Sequence, residues 1–229
     1  MITCSACQNP KLQMIWQGYA RIGKVGNHSN SITKAYKCKK CGTVSSVQSS
    51  KYLQENFRTG NYRRSVDGKT ASNSDKYFFK YFEETLLHLL HVPKEYLLGK
   101  KVLDFGSGGG SFLKLISPFI ELGVGIELDK NFHFKNRNII NLSSFSKADK
   151  VCKKYDLVTC YSVFGQLLNS SEVIYNLNKR LKKNGILIIA DINANDYLLT
   201  HGREKYKKEI FFRQSYQNYF TEKGLKILA

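Results

Sequence analysis

Two sets of residues have types and spacings that chemistry could use. The first is VLDFGSGGG at 102–110, an apolar run that ends in Asp104 and opens into a glycine-rich turn before SFLKLI. Gly106 and Gly108 carry no Cβ, so the backbone there can take φ > 0 and come close to a ligand. Glu127 stands 21 residues after Gly106, at the end of the next apolar run, GVGIELD. A carboxylate in that place can accept from both hydroxyls of a ribose. A dinucleotide turn wants Gly or Ala at its third position, where this chain has Ser111, and the lysine of a P-loop is missing. A ligand-free strand-to-helix turn is the plain alternative. The second set is two CxxC pairs, Cys4/Cys7 and Cys38/Cys41, with 30 residues between them. Four thiolates on two knuckles joined by a hairpin suit a tetrahedral Zn²⁺. A closed four-cysteine shell has no open position, so such a metal is structural. Paired thiols of no consequence, or a redox pair, are the alternative. Cys152 and Cys160 are isolated, and His28 reads as a loop residue rather than a ligand.

The elements that must position these residues can be read from apolar patterning. KLQMIWQGYARI and ITKAYKC, rich in β-branched and aromatic residues, predict two strands around the loop GKVGNHSN. Residues 49–74 read as a connector with scattered Tyr and Arg. Ser74 can cap a helix through DKYFFKYFEETLLHLLH, with Pro93 just past its end. From residue 100 strands and helices alternate. VLDFG, GVGIEL, NIINL, YDLVTCYS and GILIIADIN predict strands, and SFLKLI predicts a helix. SSEVIYNLNKRLKK predicts a second helix, stopped by Asn184-Gly185. Near-continuous apolar strands belong to a parallel sheet covered on both faces, hence an α/β fold. In the tail, EIFFR, QSYQNYFTEKG and LKIL predict a strand, a helix and a strand. The division is 1–48 zinc ribbon, 49–74 connector, 75–229 α/β domain.

On these motifs the sequence resembles the class I S-adenosylmethionine (SAM)-dependent methyltransferase family. VLDFGSGGG matches its first motif and GIELD its acidic second-strand end. YDLVTCYSVFGQLLN matches the fourth strand and the loop after it, and LNKRLKKNGILIIADIN matches the helix, turn and fifth strand. The likeness covers about residues 75–229. It implies a Rossmann-like, seven-stranded sheet with an antiparallel last strand, preceded here by a small β zinc ribbon. It also implies that Gly106, Ser107 and Gly108 lie against the methionine part of SAM and that Asp104 faces its amino group. Glu127 is implied to bind the ribose, with Leu128 beside the adenine. NLSSFS lacks the Asp with which many members bind the adenine amino group, so Ser143, Ser144 or backbone must substitute. VFGQL stands where many members carry a Glu-His pair. A ribbon ahead of a methyltransferase resembles two groups. One modifies sugars and small metabolites and has a tyrosine-rich stretch like KYLQENFRTGNYRR; the other modifies ribosomal RNA and grips it with the ribbon.

A sulfonium methyl is already electrophilic, so alignment of the acceptor can supply most of the acceleration. A base helps only where the acceptor is protonated. The candidates are His201 after the fifth strand, Tyr161 with Ser162 at the end of the fourth, and Tyr62 in the connector. CYSVF is not the Asn/Asp-Pro-Pro-aromatic motif of exocyclic-amine methylation. Cys160 could serve cytosine carbon-5 chemistry only as an activated thiolate.

Bulk properties bound the rest. The 229 residues are 42% hydrophobic and 13% aromatic, which supports packed cores. The apolar runs are far too short to span a membrane. MITCSACQ has no basic segment leading into an apolar stretch, so the expected compartment is the cytoplasm. The net charge is +18, and residues 1–70 hold 12 Lys and Arg against 2 Asp and Glu. That asymmetry points to an anionic partner, although a Lys-rich coding bias gives part of it. The favoured reading is methyl transfer to a small, anionic or sugar-type acceptor. The alternatives are RNA methylation with the basic ribbon as dock, and an idle methyltransferase fold that binds a partner.

Overall fold

In the computed structural model, which describes residues 2–47, 55–68 and 74–229, the chain forms two compact units. One holds residues 54–163 and 176–190; the other holds 1–53, 164–175 and 191–229.

The first unit is built on the apolar runs. β4 (Lys101–Phe105), β5 (Leu122–Ile126), β7 (Ile139–Leu142), β8 (Tyr155–Tyr161) and β9 (Leu181–Ala190) pair in parallel, in the order β7-β5-β4-β8-β9. β6 (Phe134–Asn136) adds to the β7 edge antiparallel. The expected α/β architecture stands. Among the described residues the sheet has six strands where the resemblance implies seven, and its antiparallel member is β6 rather than the C-terminal segment. Val102, Phe112, Leu113, Ile116, Ile139 and Leu157 form the core between sheet and helix, with Ile116 and Leu157 fully buried.

Helix α1 (Asn61–Asp67) lies within the expected connector, and the segment 75–91 forms two helices, α2 (Ser74–Lys80) and α3 (Phe82–Leu90), rather than one. The break falls at Tyr81, whose hydroxyl donates to Asp67 Oδ1 at 2.5 Å. The cap expected of the Ser74 side chain and residues 51–54 of the tyrosine-rich stretch lie outside the described residues. Helix α4 (Ser111–Ile116) matches SFLKLI, and α5 is Phe145–Val151.

The expected helix stop at Asn184-Gly185 is a correction. Helix α6 (Ser170–Asn178) ends earlier, and Leu181 already pairs with Tyr155 on β8. Two ion pairs tie this stretch down. Arg180 donates to Asp149 from Nε at 2.8 Å and Nη2 at 2.6 Å, and Lys182 reaches Asp156 Oδ2 at 2.8 Å. The register jumps from Tyr155↔Leu181 to Leu157↔Ile186, so Asn184-Gly185 sits in a bulge.

The second unit is a four-stranded antiparallel sheet: β1 (Leu12–Arg21), β2 (His28–Cys38), β3 (Val44–Val47) and β10 (Asn218–Tyr219). Its core joins Trp16, Ala35 and Val44 to Ala194, Leu199, Phe211, Phe212, Tyr216 and Tyr219. The Trp16 and Phe212 rings stack 4.2 Å apart.

The tail departs from expectation at each element. EIFFR lies largely in a π-helix (Lys207–Phe211), closed by the bond from Phe212 N to Lys207 O at 2.9 Å. Tyr216, Gln217, Asn218, Tyr219 and Phe220 are all buried, which no one-sided helix permits, and the segment gives β10 instead. LKIL lies in helix α7 (Glu222–Leu228), because Thr221 caps it through a bond from Gly224 N at 3.0 Å. Among the described residues no helix is long and apolar enough to cross a membrane.

Candidate functional site

The carboxyl ends of β4 and β5 bring the glycine loop and Glu127 together. Gly106 and Gly108 take φ of +77° and +54°, backbone that other residues rarely adopt. Glu127 binds the loop directly. Its Oε2 accepts from Gly108 N at 2.8 Å, and its Oε1 from Asp129 N at 2.9 Å. A carboxylate offers about four acceptor positions, so both oxygens retain capacity for a ligand. Ser107 donates to Asn141 Oδ1 at 2.5 Å, and Asn141 Nδ2 donates to Gly108 O at 2.9 Å and Phe132 O at 2.8 Å.

Asn141 is the residue that motif reading misses. It is 1% exposed and ties the loop to β7. The signal was an amide inside the apolar run IINL, since a buried polar side chain is there for its hydrogen bonds.

Asp104 is buried behind the loop and accepts from Thr159 Oγ1 at 2.8 Å. Burial pushes its carboxyl up to about 7; the Thr159 bond opposes the shift and Glu127 adds to it. Leu128 is 44% exposed beside Glu127. The Ser144 hydroxyl caps α5, accepting from Lys147 N at 3.4 Å.

Helices α1 and α2 stand over the same loop. A Cβ on Gly108 would lie 2.8 Å from the Tyr77 hydroxyl and 3.2 Å from Arg63 Nη2. Neither residue belongs to a cofactor motif, and the sequence signals Arg63 only as one of the connector's scattered basic residues. Burial acts against the Arg63 charge, yet Tyr77, Glu127, Tyr62 and Asp67 hold its pKa above the ordinary range.

The catalytic candidates fall on different elements. Tyr161 ends β8; burial raises its pKa, with Asp104 and Cys160 adding to the shift, and its buried hydroxyl has no hydrogen-bond partner among the described residues. His88 from α3 lies flat on the Tyr161 ring at 4.1 Å and 4°. Burial lowers the His88 pKa, against Glu84 and with His91. Tyr62 sits on α1 with its ring 4.9 Å from that of Phe57. His201 is exposed in the other unit, within 2.9 Å of Thr200 Oγ1. Cys160 is fully buried within β8, as an inert thiol would be.

In the second unit the turns before β1 and after β2 gather Cys4, Cys7, Cys38 and Cys41, with all four sulfurs within 4.8 Å of one another. Cys4 and Cys41 are 3.5 Å apart and Cys7 and Cys38 3.6 Å. A tetrahedron with metal–sulfur bonds of about 2.3 Å needs sulfurs about 3.8 Å apart, so the cluster has the required size. Burial acts against a Cys38 thiolate. Backbone N–H bonds from Cys41 and Lys40 and the Asn9 amide outweigh it and hold that thiol down to about 6. Thr221 donates to Cys41 O at 2.6 Å, so the tail braces the second knuckle. His28 opens β2, paired with Glu209 at 3.1 Å, and is outside the cluster.

The sequence profile of a family described as "Methyltransferase domain" matches residues 75–229. A ubiquinone biosynthesis O-methyltransferase of Glaesserella parasuis serovar 5 (strain SH0165) is 29% identical over 119 residues, covering 45% of this chain and 50% of that protein. The chain thus spans about half the length of that curated relative. Among solved structures, the plantazolicin methyltransferase BpumL in complex with SAH superposes with a TM-score of 0.50 at 19% identity, over 77% of this chain and 71% of that one. Phosphoethanolamine N-methyltransferase 1 of Haemonchus contortus, solved with phosphoethanolamine and S-adenosylhomocysteine, gives 0.46 at 18%, over 64% and 34%. At 19% identity the BpumL structure speaks for the fold alone.

Proposed function

The chain belongs to the methyltransferase-domain family, and from that premise we propose that it moves the methyl group of SAM onto a small, anionic or sugar-type acceptor. The observation that carries the cofactor half is Glu127, held beside the glycine loop by the Gly108 N–H at 2.8 Å with acceptor capacity to spare. In this reading Glu127 takes the ribose hydroxyls and Leu128 lies beside the adenine. Gly106, Ser107 and Gly108 line the methionine part, and Asp104 faces its amino group. Ser144 stands toward the adenine edge, and Tyr161 lines the end of β8. SAM supplies an electrophilic sulfonium methyl when bound. The chain's own task is to hold and align, which can provide most of the acceleration.

The acceptor half rests on less specific support. The relative named for ubiquinone biosynthesis is an O-methyltransferase, which favours an oxygen on a small molecule. Cys4, Cys7, Cys38 and Cys41 would hold a structural Zn²⁺, and a closed four-thiolate shell leaves no place for substrate. The ribbon's excess of lysine then steers an anionic acceptor. A second reading, RNA docking, is favoured by the exposed Lys34, Lys39 and Lys40 around the second knuckle.

The test is methyl-labelled SAM with two pools from one extract, total RNA and small metabolites, with Glu127→Ala as control. Label in metabolites, lost in the variant and weakly dependent on salt, supports the proposal. Label in RNA that falls steeply with salt replaces it by the second reading. Label in neither pool, with no SAM binding, leaves an idle fold.

A further inference from the structure

Helices α2 and α3 carry Tyr77, Glu84 and His88, and these span from the glycine loop to the end of β8. At one end a Cβ on Gly109 would strike the Tyr77 ring at 2.6 Å. At the other end the Ser162 hydroxyl donates to Glu84 Oε1 at 3.5 Å, and the His88 ring stacks on Tyr161. In the strand order β5-β4-β8, Glu127 stands on one flank of the loop and the end of β8 on the other. An acceptor that approaches the cofactor from the β8 side therefore meets Glu84 and His88. We propose that His88, assisted by Glu84, is the base that takes the acceptor's proton, and that the acceptor group is a neutral, sugar-type hydroxyl. The inference rests on the SAM reading of the loop.

Three observations carry it. The first is backbone. Ser162 takes φ of +57°, a strained conformation for a residue with a Cβ and one that gathers at functional sites. Its neighbours part there: Val163 packs where a Cβ on Gly106 would fall, and Tyr161 lies under α3. The second is capacity. The imidazole is held flat, 4.1 Å from the Tyr161 ring and 4° from parallel, and its nitrogens bond to no group among the described residues. Burial lowers the His88 pKa, with Glu84 opposing and His91 adding to the shift, so the ring is neutral at pH 7 and can accept a proton. The Tyr161 phenol, which faces it from β8, has its own pKa raised by burial and adds no charge. The third is sign. Glu84 stands one turn before His88, where its carboxylate favours the imidazolium and disfavours an anionic oxygen. An oxygen already ionised needs no base, whereas an alcohol does. Any anionic group on the same acceptor then lies away from this end. As the acceptor oxygen takes the methyl group, its O–H proton passes to a ring nitrogen of His88. The electrons of the broken carbon–sulfur bond stay on sulfur, and the imidazolium returns its proton to water.

The test compares the full chain with His88→Asn and Glu84→Gln. Calorimetric titration with S-adenosylhomocysteine (SAH) gives the same affinity for all three, because neither residue holds the cofactor. Transfer of label from SAM into the metabolite pool falls about 100- to 1,000-fold in His88→Asn, within the usual range for a lost general base. In the wild type that rate declines as pH falls through the pKa of His88, read independently from its ring protons by NMR. Glu84→Gln moves both the ring pKa and the rate limb to lower pH, since the charged ring loses a favourable neighbour. The product's label resists alkali, as a methyl ether does; a methyl ester releases it as methanol. A His88→Asn variant that keeps the wild-type rate, or that loses SAH binding, overturns the base, as does a limb that fails to follow the ring. Alkali-labile label overturns the hydroxyl acceptor. Label only in RNA, or in neither pool, from a protein that binds SAH overturns the inference and leaves the SAM reading standing. Wild-type protein that binds no SAH overturns the SAM reading itself, and the base with it.

Discussion

The glycine loop of one unit and the cysteine cluster of the other are both irregular backbone, and they are held by different forces. The loop leads from β4 into helix α4 and is fixed by hydrogen bonds with Glu127 and Asn141, each anchored in or just after a buried strand. The cluster draws its halves from residues 4–7 and 38–41 and is braced by Thr221 from the far end of the chain. Thiols 3.5 Å apart bond each other weakly. The loop is therefore held by packing and polar satisfaction, whereas a metal on the four thiolates would supply most of the cluster's strength.

The largest effect expected from this contrast is on metal removal. A structural zinc contributes on the order of 10–16 kcal/mol to the folding of such modules. Chelation, or Cys38→Ser, should unfold the ribbon. Trp16, the chain's single tryptophan, lies in that unit's core and reports the loss by fluorescence. Unchanged emission after complete chelation would break the contrast.

A second, smaller effect tests the loop. Asn141→Leu leaves Gly108 O, Phe132 O and the Ser107 hydroxyl without a partner. Each orphaned buried group costs about 1–3 kcal/mol, so denaturant unfolding should show a loss of about 3 kcal/mol or more. A loss below 1 kcal/mol would mean that backbone geometry alone shapes the loop.

The smallest of the three concerns charge. Asp104 has a folded pKa near 7, above its ordinary value of 3.8. The native state therefore holds this proton more tightly than the unfolded chain does. The stabilisation is complete below pH 3.8 and is lost as pH rises to about 7. Between pH 5.5 and 8 the group removes at most about 2 kcal/mol. Asp104→Asn should flatten that part of the stability profile. An unchanged slope would show that the carboxyl is ionised throughout.

How much of this was legible in the sequence follows the same contrast. VLDFGSGGG, Glu127 and the four cysteines stand out in the sequence by residue type and spacing, and the structure brings the members of each set together. The strands around the loop were legible as short apolar runs. The tail was not, for a run such as EIFFR can be buried as strand or helix and periodicity cannot choose. Thr221 held the one local clue, an N-cap ahead of LKIL. Asn184-Gly185 misled because a helix stop and a bulge use the same residues; ion pairs to Asp149 and Asp156 decided between them. Asn141 was hidden because its role depends on partners distant in sequence.

The most direct test of the central claim is calorimetric titration of SAH into wild-type protein and Glu127→Ala. Saturable one-to-one binding that weakens by about 10- to 100-fold in the variant, with the variant still folded, is the predicted result. Equal binding by both proteins, or none by the wild type, would contradict the assignment of the loop and Glu127 as the cofactor site.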